Sequence, residues 1–265
     1  MSTRPPLIGV FDSGVGGLSV LKALHQQLPA NDLLYVADSG NAPYGERSDE
    51  FITERTHRVA SHLLAQGAQL LVLACNTATA VSAASLREHW PDLPIVAVEP
   101  GIKPAVAASR NGRIGVMATP ATLRSDKFQR LAQTHGSGVD IHPQPCPGLA
   151  GQIERLEAES PALLDLIEKF TTPLREAGVD TVVLGCTHYP FVARQIQAAL
   201  GADVTLIDTA DAVARQVNRL AGHHQSPGGS AGSVRLQTTG AVESLEQFAR
   251  RWLPMACQVS AATGL

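Results

Sequence analysis

The chain has 265 residues, of which 44% are hydrophobic and 17% charged, a balance that excludes an intrinsically disordered protein. Its net charge of −3, without any block of basic residues, argues against nucleic acid as an obligatory partner. No apolar run reaches membrane-spanning length and no signal-peptide pattern is present, so we expect a cytoplasmic protein whose four cysteines are reduced thiols.

Short apolar segments alternate along the chain with segments of helical periodicity. Leucines between positions 18 and 28 recur at three- and four-residue steps, which is typical of an amphipathic helix. Ser160 followed by Pro161 predicts the start of a helix that runs through Phe170, and Gly178 predicts the end of the helix that follows Pro173. Segment 222–233, with two histidines, predicts a flexible surface loop. The predicted strands are Leu7–Phe11, Leu33–Ala37, Leu70–Ala74, Ile95–Val98, Ile114–Met117, Val139–His142, Thr181–Leu184, Val204–Ile207 and Val234–Gln237.

Most of these strands are apolar on both faces, which favours parallel sheets covered by helices on both sides. Two of the apolar runs end in a cysteine, Cys75 and Cys186, and the pair indicates a weak internal duplication. We therefore expect an α/β fold of two similar, mostly parallel α/β sandwich domains with the active site at their interface. The expected first domain comprises 1–97 plus 208–265, and the second comprises 98–207.

The paired cysteines favour racemisation over other thiol chemistry. Ligands bind at the carboxyl ends of strands in open α/β sheets, so Cys75 and Cys186 are expected on either wall of one pocket. Inverting an α-carbon requires a base on one face and an acid on the other, with exchanged roles in reverse, and two thiols suit this symmetry. Buried structural cysteines and a Cys–His hydrolase that uses His188 remain alternatives. Cys146 and Cys257 lack a strand-end setting and are interpreted as structural or incidental.

Two loops add candidate binding groups. Asp12 stands between a predicted strand and a glycine-rich turn, where its carboxylate suits a substrate ammonium group or the support of a nearby base. The glycines do not match the dinucleotide-binding fingerprint, and an ordinary capped turn is the alternative. The loop 41–45 offers backbone amides and a phenol to a small ligand, although an ordinary turn gives the same pattern. Glu154 is interpreted from its spacing as a surface helix residue.

Taken together, these segments resemble the glutamate racemases of the cofactor-independent aspartate/glutamate racemase superfamily. The matching segments occur in the expected order: Phe11–Leu18, Ala42–Gly45, Ala74–Ala78, Cys146–Pro147 with Glu154, and Gly185–Pro190. Thr238–Gly240 also resembles the last strand of that family. The segments span most of the chain, and their combination is far more specific than any one of them.

The resemblance implies a role for each matching residue. Cys75 would act on the proton of the D enantiomer and Cys186 on that of the L enantiomer. Asp12 would support Cys75, whereas Glu154 and His188 would support Cys186. The residues that would line the glutamate site are Asp12, Ser13, Tyr44, Gly45, Asn76, Thr77, Thr187 and His188.

The resemblance also implies the setting of the reaction. It implies no pyridoxal phosphate and no metal, a supply of D-glutamate for bacterial peptidoglycan and hence for cell-wall biogenesis and cell shape, and a homodimer. Some members of the family bind DNA gyrase, which is a partner by analogy only. Neither membrane association nor nucleic-acid binding is expected. A racemase of another amino acid such as aspartate, and a binding or regulatory protein on the same scaffold, are the alternative functions.

Overall fold

The computed structural model describes residues 5–155, 159–221 and 231–265. The strands in these ranges are β1 (Ile8–Asp12), β2 (Leu33–Ala37), β3 (Leu70–Leu73), β4 (Ile95–Ala97), β5 (Arg113–Ala118), β6 (Asp140–Pro145), β7 (Thr181–Leu184), β8 (Thr205–Ile207), β9 (Val234–Thr238) and β10 (Gln258–Ala261). The α-helices are α1 (Leu18–Gln27), α2 (Asp49–Ala65), α3 (Asn76–His89), α4 (Ile102–Ala108), α5 (Pro120–Arg124), α6 (Asp126–His135), α7 (Leu149–Glu154), α8 (Pro161–Glu176), α9 (Ala193–Leu200), α10 (Ala210–Ala221) and α11 (Val242–Trp252).

The described residues form two compact units, each built around one sheet. The first unit draws on 1–98 and 210–265, and the second comprises the described residues of 99–209. Every strand pair in both sheets is parallel. No helix within the described ranges is long and apolar enough to cross a membrane. Residues 222–230 of the predicted surface loop, including both histidines, lie outside the described residues.

The first unit contains a six-stranded sheet in the order β10-β9-β2-β1-β3-β4. Strands β1, β2 and β3 lie in its middle and are buried along their whole length, as the apolar runs predict. Their side chains pack with those of α2 and α3 into one hydrophobic cluster that includes Cys75. Because the strands are parallel, their carboxyl ends lie at one edge of the sheet, where Asp12 ends β1 and Cys75 follows β3.

One strand of this sheet has no signal in the sequence. Strand β10 (Gln258–Ala261) pairs in parallel with β9 at the edge of the sheet. Three of its four residues are exposed, so it lacks the apolar run or alternation by which the other strands are predicted. Its pairing with β9 is a tertiary interaction that local sequence does not specify.

The second unit contains a four-stranded sheet in the order β6-β5-β7-β8. The helix predicted from Ser160 and Pro161 is α8, and the Ser160 hydroxyl accepts a hydrogen bond from the backbone N–H of Leu163. The helix ends at Glu176, and Gly178 follows in the left-handed conformation at φ +66°. Both boundaries agree with the sequence prediction, but no separate helix follows Pro173, because α8 runs through that proline.

Strand β6 runs further than predicted and changes the interpretation of Cys146. The predicted strand ended at His142, but β6 continues to Pro145, and the buried Cys146 follows directly. Pro143 and Pro145 argue against a strand in the sequence. They are tolerated here because β6 is an edge strand with one unpaired side. The interpretation that Cys146 lacks a strand-end setting is therefore wrong.

The second unit is also tied together by a carboxylate at the amino end of β7. Asp180 holds the turn that precedes β5 in place. Its oxygens accept hydrogen bonds from Ser109 Oγ (2.7 Å), the backbone N–H groups of Arg110 (2.6 Å) and Asn111 (2.7 Å), and Thr181 Oγ1 (3.0 Å). Burial raises the pKa of Asp180, but these hydrogen bonds outweigh burial and hold it below 3.8.

We expect the Asp180→Asn variant to lose about 1–3 kcal/mol of unfolding free energy at pH 7, because the amide cannot accept all four hydrogen bonds. Since the pKa of Asp180 is lowered on folding, this contribution is present above the unfolded-state pKa and is lost as the pH falls through the folded-state value. Urea unfolding at pH 7 and pH 3 measures it. Asp165→Asn, an exposed carboxylate of α8, is the matched control. Equal losses in both variants at pH 7 would contradict the prediction.

Candidate active site

Cys75 lies at the point where β3 ends and α3 begins. Its sulfur accepts a hydrogen bond from the backbone N–H of Ala78 (3.4 Å) and lies 3.4 Å from Ser13 Oγ. The residue is 5% exposed. Burial and the nearby charge of Asp12 raise the pKa of Cys75 to about 12, although the contacts with Ala78 and Ser13 lower it. Cys75 is therefore a neutral thiol at physiological pH and can donate a proton.

The turn after β1 holds Asp12 and Ser13 next to this thiol. Asp12 is fully buried, and its Oδ1 accepts a hydrogen bond from the backbone N–H of Gly14 (2.8 Å). Tyr35, which the sequence did not single out, donates its hydroxyl hydrogen to the carbonyl of Gly14 (2.6 Å). A Cβ at Gly17 would lie 2.6 Å from the Asp12 Cβ, so the turn requires glycine there. The turn and Tyr35 together fix where Asp12 points.

The first turn of α3 adds two polar side chains to this group. Asn76 and Thr77 are both buried, at 7% and 4% exposure. Asn76 Oδ1 has no hydrogen-bond partner in the part of the chain that the structure describes. A buried acceptor without a partner is costly, so Asn76 is suited to a donor supplied by a ligand.

The predicted loop 41–45 lies in the same unit and is fixed by a neighbouring carboxylate. Tyr44 is buried and donates its hydroxyl hydrogen to Asp38 (2.6 Å), which also forms a two-pronged ion pair with Arg55. Sequence reasoning missed both Asp38 and Arg55. A signal for Arg55 existed, because this arginine occupies the apolar stripe of α2 between Ile52 and Val59.

In the second unit, Cys186 is the centre of a separate group after β7. Its sulfur lies 3.6 Å from Nδ1 of His188, and His188 Nε2 lies 2.7 Å from Glu154 Oε1. Burial lowers the pKa of His188, but hydrogen bonds with Cys186 and Glu154 and attraction to both raise it well above 6.5. The raised pKa favours the imidazolium form of His188, in which one ring nitrogen donates to the Glu154 carboxylate and the other faces the Cys186 sulfur.

Three further buried residues lie near Cys186. Tyr189 is fully buried, its backbone N–H donates to the Cys186 carbonyl (3.1 Å), and Cys146 belongs to the same hydrophobic cluster. Burial raises the pKa of Cys146 to about 12, and its thiol donates to the carbonyl of Gln144 (3.3 Å). Cys146 is therefore a neutral structural thiol. The predicted binding residue Thr187 is also buried.

The structure thus collects the predicted site residues into two groups, one in each unit. The first group contains Asp12, Ser13, Tyr44, Gly45, Cys75, Asn76 and Thr77, and the second contains Glu154, Cys186, Thr187 and His188. The contact between Glu154 and His188 joins residues that are far apart in sequence, so spacing alone gave no sign of it. Across the described ranges, no three His, Cys, Asp or Glu side chains are grouped so that they could hold a metal ion.

Comparison with known proteins relates this arrangement to amino-acid racemases. A family model described as Asp/Glu/Hydantoin racemase matches residues 8–217. A glutamate racemase of Ectopseudomonas mendocina (strain ymp) is 55% identical over 218 residues, which are 82% of this chain and 83% of that protein.

Two solved structures are similar to nearly the whole chain. The crystal structure of a glutamate racemase isoform from Bacillus anthracis has a TM-score of 0.88 and 32% identity, and the match covers 97% of both chains. Escherichia coli glutamate racemase, in complex with L-glutamate and the activator UDP-MurNAc-ala, has a TM-score of 0.85 and 31% identity, covering 97% of this chain and 99% of that one. These likenesses confirm the predicted α/β class with two parallel sheets.

Proposed function

Because the chain belongs to the Asp/Glu/Hydantoin racemase family, we propose that it interconverts L- and D-glutamate with Cys75 and Cys186 as the two acid/base groups. The family resemblance that the sequence motifs predicted is confirmed, and the protein is an amino-acid racemase, an isomerase. Glutamate is favoured as the substrate because the relatives that match most of the chain are glutamate racemases. One observation supports the two-thiol mechanism most directly: each thiol follows a buried parallel strand and has its own polar partners.

The two thiols have different surroundings. Burial and Asp12 keep Cys75 protonated, whereas Nδ1 of His188 lies 3.6 Å from the Cys186 sulfur, where a protonated ring would stabilise the negative charge that the proposed reaction places on that sulfur. In the proposed reaction, the Cys186 thiolate removes the α-proton of L-glutamate, and the Cys75 thiol delivers its proton to the opposite face. The product is D-glutamate, and the protein is left with a Cys186 thiol and a Cys75 thiolate. The reverse reaction exchanges these roles.

Removing a weakly acidic α-proton requires donors and acceptors that are in place before the reaction. Asp12 is proposed to accept from the substrate ammonium group. The hydroxyl and amide groups proposed to bind glutamate and stabilise its developing charge are Ser13, Asn76, Thr77 and Thr187, with the backbone of Tyr44 and Gly45. Burial of these side chains strengthens each interaction, because few water molecules compete with the ligand.

The proposal extends to the setting of the reaction. The protein would supply D-glutamate for peptidoglycan and thereby serve cell-wall biogenesis and cell shape. A cytoplasmic location and a homodimeric assembly belong to the same proposal. These points are supported by the family to which the chain belongs.

Incubation with L-glutamate in heavy water, without any added cofactor, tests the proposed function. We expect D-glutamate to form and deuterium to enter the α-position, which chiral chromatography and proton NMR measure. A parallel incubation with L-aspartate is the control for substrate class, since the family also covers aspartate racemases. Absence of both D-glutamate and α-deuterium would refute the proposal, and faster turnover of aspartate would reassign the substrate.

A further inference from the structure

The carboxylate of Asp38 is the centre of a buried hydrogen-bond network next to the loop 41–45. Asp38 follows β2 and is fully buried. Its oxygens accept five hydrogen bonds: Oδ1 accepts from Arg55 Nη2 (2.8 Å), Asn41 Nδ2 (3.0 Å) and Thr239 Oγ1 (2.8 Å), and Oδ2 accepts from Arg55 Nε (2.9 Å) and the Tyr44 hydroxyl (2.6 Å). One carboxylate therefore joins the loop to α2 and to the segment after β9.

Arg55 supplies the positive charge that this arrangement requires. Its side chain is 8% exposed, and its planar fork reaches both oxygens of Asp38. Burial raises the pKa of Asp38, but the hydrogen bonds from Arg55, Tyr44, Asn41 and Thr239 outweigh burial and hold it below 3.8. Asp38 therefore stays ionised at neutral pH and keeps all of its acceptor sites.

The segment after β9 also belongs to the network. Thr239 Oγ1 donates to Asp38 and accepts from the backbone N–H of Gly40 (3.0 Å). A Cβ at Gly40 would lie 2.6 Å from the Thr239 carbonyl oxygen, so the two backbones approach as closely as glycine allows. The chain that enters the loop is thus held by Thr239 as well as by Asp38.

The network ends at a residue beside the Cys75 thiol. Tyr44 is 1% exposed, and its ring packs against Phe11 (6.1 Å between ring centres) and Phe51 (6.3 Å). Tyr44 and Cys75 belong to the same buried cluster. The Tyr44 hydroxyl donates to Asp38. This hydrogen bond restrains Tyr44 and, through the peptide bond between them, Gly45.

We propose that Asp38 and Arg55 are positioning residues, which hold the Tyr44–Gly45 loop in the conformation that binds glutamate, without touching the substrate themselves. This inference rests on the proposed function, because that function makes the loop part of the glutamate site. The energetic reason is preorganisation: a loop that is fixed before binding loses little conformational entropy when the ligand arrives.

The test uses substitutions that keep side-chain size, because removing Asp38 outright would leave a buried guanidinium without its partner. Arg55→Lys keeps the charge but loses the two-pronged contact, and Tyr44→Phe keeps the ring but loses one hydrogen bond. Arg58→Lys, on the same helix but with its side chain 51% exposed, is the matched control. Steady-state kinetics give KM and kcat, and hydrogen–deuterium exchange with mass spectrometry gives the protection of residues 39–47.

For Arg55→Lys and Tyr44→Phe we expect KM for glutamate to rise about tenfold, kcat to change less than about threefold, and residues 39–47 to exchange faster. The control should match the wild-type protein in all three. Unchanged exchange in 39–47, or an unchanged KM, would overturn the proposal. Absence of turnover by the wild-type protein would instead refute the proposed function, and the exchange rates would still decide whether Asp38 and Arg55 fix the loop.

Discussion

Racemisation of glutamate is expected to fall by about a thousandfold when either Cys75 or Cys186 is replaced with serine. A serine hydroxyl is of similar size, but it is too weak an acid to give up or take back a proton at neutral pH as a thiol does. The loss of activity is the same with L-glutamate and with D-glutamate as the substrate, because each direction of the reaction uses one thiol as base and the other as acid. Chiral chromatography of the product formed from each pure enantiomer measures the effect.

The matched control for this pair is Cys257→Ser, a half-buried thiol of the first unit that lies outside both site groups. This variant should keep wild-type activity and unfold at the wild-type temperature. Circular dichroism of Cys75→Ser and Cys186→Ser separates a lost acid/base group from a lost fold. Full activity in either of these two folded variants would contradict the two-thiol mechanism.

Loss of the His188 imidazole is expected to lower racemisation by about a hundredfold, because Cys186 then loses the cation that stabilises its negative charge. His188→Asn keeps a donor near the sulfur but carries no charge. The pKa of His188 is raised on folding, so its stabilising contribution is complete below about pH 6.5 and is lost as the pH rises through the folded-state value. The stability difference between wild type and His188→Asn should therefore be largest near pH 6 and shrink at alkaline pH.

Glu154→Gln tests the same group through the pH profile of kcat/KM. The Glu154 carboxylate raises the pKa of His188 through a hydrogen bond and through attraction, so its removal lowers that pKa. The alkaline decline of activity should then begin at a lower pH than in the wild-type protein. Glu176→Gln, at the exposed end of α8, is the control and should leave the profile unchanged. An unaltered profile in Glu154→Gln would exclude His188 as the group that titrates.

Local sequence was sufficient to place both thiols at strand ends, because a parallel strand that is buried on both faces has a continuous apolar sequence. Strands β3 and β7 are such runs, and each stops within two residues of its cysteine. Edge strands have a weaker sequence pattern. Prolines hid the end of β6, and β10 is polar because it is exposed, so neither could be drawn correctly from periodicity.

Contacts between distant segments were beyond the reach of spacing. Glu154 looks like any surface glutamate until α7 places it 2.7 Å from His188, and only the family resemblance singled it out. Asp38 and Arg55 could not be paired from sequence either, since their ion pair depends on how α2 packs on the sheet. A charged residue on the apolar stripe of a helix indicates that it has a buried partner, but it does not identify that partner.

The central claim is that Cys186 and Cys75 act on opposite faces of one α-carbon, Cys186 on L-glutamate and Cys75 on D-glutamate. Alpha-proton exchange by the single-thiol variants in heavy water, followed by NMR on each pure enantiomer, tests it most directly. The account predicts that Cys75→Ser exchanges the α-proton of L-glutamate only, and that Cys186→Ser exchanges that of D-glutamate only, neither with inversion. Equal exchange of both enantiomers by one variant would contradict it.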